Sequence, residues 1–157
     1  MELRAHHLLC IQGYHGVGYS SDFVENMNRV VQKLEDNPDQ KIEIVKKCDI
    51  LCKACPGRIV RKKYIKQSKG TLGMTVGEII AKGLDICEIE TCTSEELVAY
   101  LDQQTLKWLD ICPGEYVYSK LVEHIKENLT WPVYCEICSE CEWFKKDVCL
   151  LKENLKK

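Results

Sequence analysis

The chain has 157 residues, 45% of them hydrophobic and 29% charged, with a formal net charge of -2. These values suit a soluble protein with one core, and they exclude a disordered chain or one drawn by overall charge to nucleic acid or anionic membrane. Eleven cysteines are the abnormal number. A secreted disulfide scaffold would be shorter, even in cysteine count and exported, so these sulfurs read as metal ligands or redox groups in a reducing compartment.

The first residues, MELRAHHLLC, carry charge and histidines where a signal peptide needs an apolar run, and no window approaches the ~18 apolar residues of a membrane span. A cytoplasmic protein is expected. Residues 3–12 read as a short helix or a strand entering one, with Leu8, Leu9 and Ile11 as its apolar surface. In a helix, His6 and His7 stand four and three residues before Cys10 and can share its face. The expected arrangement is nevertheless one histidine bonded to a backbone carbonyl and the other solvated.

The glycines at 13, 16 and 18 follow no buried strand, so they read as a turn and not as a phosphate loop. Asp22 with Glu25 forms a capping box. It opens a helix carried by Phe23, Val24, Met27, Val30, Val31 and Leu34 at helical spacing, which ends at Asn37-Pro38. Lys41 to Cys48 alternates Ile42 and Ile44 with charged residues, the pattern of a short strand. It leads into CDILCKACPG, where Cys52 and Cys55 sit at knuckle spacing before a Pro-Gly reversal.

Arg58 to Lys69 is a basic strip, read as a solvated helix face or loop in preference to a phosphate-binding surface. Thr75 with Glu78 caps a short helix. Cys87 and Cys92 are placed in a linker, and Cys92 is the better ligand because it precedes the helix capped by Thr93 and Glu96. Cys112-Pro113-Gly114 terminates that helix, and Ser119 to Leu129 forms another. The chain closes on CEICSECEWFKKDVC, in which Cys135, Cys138, Cys141 and Cys149 make two overlapping Cys-x2-Cys steps and a fourth thiol. Tight turns at that spacing bring sulfurs to one side of the backbone, within reach of zinc or an iron–sulfur cube. Trp143 and Phe144 would shield the site from water.

Three stretches, RAHHLLCIQGYHGVGYSSDFVENM, CDILCKACP and ICSECEWFKKDVC, occur in an order that resembles a family of small bacterial and archaeal proteins of unknown function. The resemblance runs along nearly the whole chain, and it implies iron–sulfur binding, as suggested for that family, with no reaction attached. Its motif cysteines fall on Cys10, Cys52, Cys55, Cys138, Cys141 and Cys149, with Cys92 matching a further one before the long helix.

The expected fold is mainly α: one domain over residues 1–157, with four or five helices and at most a small pair of strands near Lys41 to Cys48. Its cysteine-rich loops, 48–57 and 135–149, converge on metal. Seven thiols, Cys10, Cys52, Cys55, Cys92, Cys138, Cys141 and Cys149, suffice for one [4Fe–4S] cluster and an incomplete second site; a second complete cluster needs Cys48 or Cys135. The leading function is an iron–sulfur protein in electron transfer with a redox partner protein, or one stabilised by its cluster. The alternatives are a zinc-held binding module in which Cys52, Cys55, Cys138 and Cys141 close one site and the basic strip contacts nucleic acid, and an enzyme with an open iron served by His6, His7 or Glu142.

Overall fold

The computed structural model describes residues 1–64 and 86–155. The helix expected at Thr75 and the distal part of the basic strip lie outside the described residues, and so does the side chain of Cys87. Two small sheets frame the helices. In the first, β1 (Glu2–Arg4) pairs in parallel with β2 (Lys41–Val45), which pairs antiparallel with β5 (Gly114–Val117). Ile42 and Ile44 of β2 are buried while Lys41 and Glu43 face water, as the alternation requires. In the second sheet, β3 (Arg58–Tyr64) and β4 (Ile86–Cys92) run antiparallel with Arg58 opposite Cys92.

Seven helices occur among the described residues: α1 (Ala5–Gln12), α2 (Ser21–Asp36), α3 (Glu95–Trp108), α4 (Tyr118–Asn128), α5 (Trp131–Cys138), α6 (Glu142–Lys145) and α7 (Leu151–Leu155). None is long and apolar enough to cross a membrane. The chain is therefore mainly helical, but its strand content exceeds the single small element expected. The linker assigned to Cys87 and Cys92 is β4, and the proximal basic strip is β3 instead of a helix face or loop. Pairing partners close in space but far apart in sequence leave no local period to read, which is why both strands went unrecognised.

Capping also differs from the expected residues. Ser20, not Asp22, caps α2, its hydroxyl accepting from the Phe23 amide at 3.2 Å. At α3 the expected Thr93–Glu96 box is replaced by a reverse contact, in which Glu95 accepts from the Cys92 amide at 3.0 Å. Pro132 stands in the first turn of α5, where its missing N–H costs nothing, so Cys135 and Cys138 lie one helical turn apart and not in a hairpin.

Helix α1 is the centre of the molecule. Ala5, His6, Leu8, Leu9 and Ile11 are buried, so apolar side chains cover more than the usual single stripe. Each fully buried leucine there contributes about 2 kcal/mol. The helix enters from β1 and packs on α3, which in turn packs on α5. Leu150 donates its amide to the Gly13 carbonyl at 3.0 Å, tying the C-terminal segment to the end of α1.

Candidate metal centre

The cysteines fall into two neighbouring groups. The first comprises Cys10 on α1, Cys138 at the end of α5, Cys141 just before α6, and Cys149 before α7; all four line one small apolar pocket with Leu9, Ile137, Tyr134, Trp143 and Phe144. The Cys141 amide donates to the Cys138 carbonyl at 2.9 Å, the turn that brings this Cys-x2-Cys pair round. Burial pushes the Cys10 thiol well above its ordinary range, and the negative charge of Cys141, Cys138 and Cys149 pushes it further. Cys138 is raised by burial and by the same neighbours, and Cys141 by burial and Cys149. A pocket that resists the thiolates of Cys10, Cys138 and Cys141 on their own would accept them around a cation, which supplies the missing positive charge.

Two further observations fit a metal group here. The donor set is all sulfur. The buried Tyr134 hydroxyl lies beside Cys149 yet finds no partner of good hydrogen-bond geometry among protein atoms, so an anionic sulfur is the acceptor it lacks. Gly13 closes the pocket from α1: a Cβ built there would overlap the Cys149 sulfur. Gly13→Ala should therefore displace Cys149 and lower metal content several-fold while leaving α1 intact, measured by metal analysis alongside circular dichroism; full metal content would place Cys149 outside the site.

The second group comprises Cys52, Cys55 and Cys92. They line a cavity of about 300 Å³ together with Arg4, His6, His7 and Glu142. Cys10 and Cys141 reach the same cavity from the other side, so the two groups share a wall. The β3–β4 ladder explains how Cys55 meets Cys92: it sets Arg58 opposite Cys92, and both sulfurs lie within 3.7 Å of a Cβ placed on Gly57. Of the expected four-ligand set, Cys52, Cys55 and Cys141 line this cavity and Cys138 lines only the neighbouring pocket. Cys48 lies against Cys52, which hydrogen-bonds to it, but it opens onto a shallow groove on another face with Lys47 and Ile89. Cys112 is exposed, and Cys135 lines neither cavity.

Both histidines are held by carboxylates, contrary to the expected carbonyl bond and solvated ring. His6 Nδ1 donates to Asp102 at 2.7 Å and His7 Nδ1 to Asp49 at 2.7 Å. Because a carboxylate only accepts, Nδ1 carries a proton in both rings, and in the neutral form of each ring Nε2 is the atom with the lone pair. Asp102 also accepts from Arg4 Nε at 2.8 Å and from the His6 amide at 3.1 Å. Asp49 accepts from the amides of Arg4, Leu51 and Cys52. Burial opposes both carboxylates' charge, but these partners outweigh it and hold both below the ordinary range. Arg4, Asp49 and Asp102 are nevertheless missing from the sequence-derived set of candidates. A charged residue in an apolar run was the only available signal, and it does not name its partner.

Burial, with the charge of His7, lowers His6 from 6.5 to about 4. A histidine whose folded value lies below its unfolded one holds stability above pH 6.5 and loses it as pH falls towards 4. About 2–3 kcal/mol should be lost between pH 7 and pH 4.5 from this group. Urea midpoints at the two pH values measure it, and equal losses in wild type and His6→Gln would contradict the assignment.

Residues 18–75 match the family model of DUF1284, a protein of unknown function. The match takes in the CDILCKACP motif, and it leaves Cys10, Cys92 and the C-terminal sulfurs outside. The resemblance expected along nearly the whole chain is thus found over residues 18–75, a little over a third of it, and DUF1284 brings no activity or cofactor with it. No curated protein and no solved structure matches the chain.

By distance, His7, Asp49 and Cys52 could share a metal ion, their ligand atoms lying within 4.8 Å of one another. The Asp49 oxygens, however, already accept four hydrogen bonds from His7 and the three amides. A carboxylate offers about four lone-pair directions, so Asp49 orients His7 in preference to ligating.

Proposed function

We propose that the chain binds a [4Fe–4S] cluster through Cys10, Cys138, Cys141 and Cys149, and that its role is redox, with a partner protein supplying or accepting the electron in the cytoplasm. The reading is carried by one observation: four thiols from separate segments gather on one buried apolar pocket. A cluster bound there would supply one-electron chemistry. The protein's part is to hold the sulfurs, exclude water with Trp143 and Phe144, and offer the Tyr134 hydroxyl to a ligand sulfur, a bond of the kind that tunes reduction potential.

The spacing of the sulfurs supports a cluster over a single ion. Among the described residues, the one trio of ligand atoms within 4.8 Å of one another is His7, Asp49 and Cys52, so no three of these four sulfurs are that close. Tetrahedral zinc with bonds of ≈ 2.3 Å needs its sulfurs about 3.8 Å apart. One observation favours zinc instead: the free volume of the pocket that these sulfurs line is about 20 Å³.

Anaerobic purification with iron, sulfide and zinc analysis separates the two readings. About four irons and four acid-labile sulfides per chain, with broad absorption near ~400 nm, are expected. Colourless protein without iron, carrying zinc on these four thiols, would overturn the cluster reading.

A further inference from the structure

We infer that His7 joins Cys52, Cys55 and Cys92 in a second metal centre, a tetrahedral three-sulfur, one-nitrogen site for a single divalent ion of zinc's class. All four residues line the 300 Å³ cavity. The His7 ring is fixed by Asp49, which is 3% exposed and takes the Nδ1 proton at 2.7 Å, leaving Nε2 with a lone pair. That carboxylate–histidine arrangement is the one by which proteins orient an imidazole ligand. Asp49 also accepts from the Cys52 amide at 3.1 Å, so a single carboxylate positions the nitrogen ligand and one of the sulfur ligands.

The mixed donor set favours one ion over a second cluster, because iron–sulfur clusters are held mainly by thiolates whereas zinc takes three cysteines and a histidine. His7 and Cys52 offer ligand atoms within 4.8 Å of each other. Two ligands of one tetrahedral zinc stand about 3.5 Å apart, from bonds of ≈ 2.0 Å to nitrogen and ≈ 2.3 Å to sulfur, so His7 and Cys52 stand near that separation while Cys55 and Cys92 must close in as the ion loads. Cys55 and Cys92 arrive as a pair over Gly57, from the end of the 3-10 turn Cys52–Ala54 and from the end of β4. Cys48 touches Cys52 but opens onto a different face, and of the two histidines lining the cavity it is His7 that groups with Cys52 by distance, which makes it the fourth ligand. Loading releases the three thiol protons to solvent, and the ion with three thiolates and a neutral imidazole carries one net negative charge. Arg4 lines the same cavity, and Glu95 links it to Cys92 by accepting from Arg4 Nη2 at 3.3 Å and from the Cys92 amide at 3.0 Å.

This centre uses none of the four thiols proposed for the cluster, so zinc content reports on one site and iron content on the other. Anaerobically purified full-length protein should contain about one zinc per chain, and zinc-edge X-ray absorption should fit three sulfurs and one nitrogen at the distances above. His7→Ala should lower zinc retention against a chelator at least tenfold with iron unchanged, and Cys48→Ser should leave both metals in place. Three outcomes would overturn the inference: a four-sulfur zinc shell, zinc lost in Cys48→Ser but kept in His7→Ala, or about eight irons with no zinc. Absence of iron alone, with this zinc shell intact, would end the cluster reading and leave the second centre standing.

Discussion

Cys138→Ser is expected to strip the protein of its iron. Cys138 lines the four-thiol pocket but not the neighbouring cavity, so its loss tests the cluster site by itself. Serine is a harder, more weakly coordinating donor, and three remaining thiols hold a cluster poorly. Iron should fall from about four per chain to below one, with loss of the band near ~400 nm. Metal binding couples to folding, so the variant should also unfold at lower denaturant, because a cluster on these four thiols would bridge α1, α5 and the chain before α7. A variant that keeps its full iron and its absorption would show that Cys138 is not a ligand.

Asp102→Ala should be the most destabilising single change outside the cysteines, at about 3–5 kcal/mol. Asp102 is 2% exposed and Arg4 is 1% exposed, and Asp102 accepts from Arg4 Nε at 2.8 Å and from His6 Nδ1 at 2.7 Å. Among the described residues, removing the carboxylate leaves a buried guanidinium with the partly exposed Glu95 as its remaining ion-pair partner, and Arg4 already has one nitrogen, Nη1, without a hydrogen-bond partner there. Uncompensated buried charge is the costly outcome, whatever the net worth of the intact pair. Glu95→Ala should cost under about 1 kcal/mol by comparison, because Glu95 is 44% exposed in that contact and solvent screens it. Chemical denaturation of the anaerobic protein measures both, and an Asp102→Ala cost below that of Glu95→Ala would refute the buried network.

These two variants probe parts of the site that differ in how far they could be read in advance. The cysteines were legible one by one, because sulfur is rare, reactive and spaced for chelation in CDILCKACP and ICSEC. Helix α2 was legible too, since Phe23, Met27, Val30 and Leu34 keep a period that only an amphipathic helix satisfies. Asp49 and Asp102 were not: an acidic residue looks the same in sequence whether it is solvated or orienting a histidine.

By itself, then, the sequence indicated the kind of chemistry available and seven candidate sulfurs for it, because ligand type and local spacing are properties of neighbouring residues. Only the tertiary structure decided that they divide into Cys10, Cys138, Cys141 and Cys149 on one side and Cys52, Cys55 and Cys92 on the other. That division follows from long-range pairing, with β3 against β4 and Leu150 against Gly13. Such contacts are selected by burial and backbone hydrogen bonding across the whole fold, and they leave no mark on any short stretch of chain.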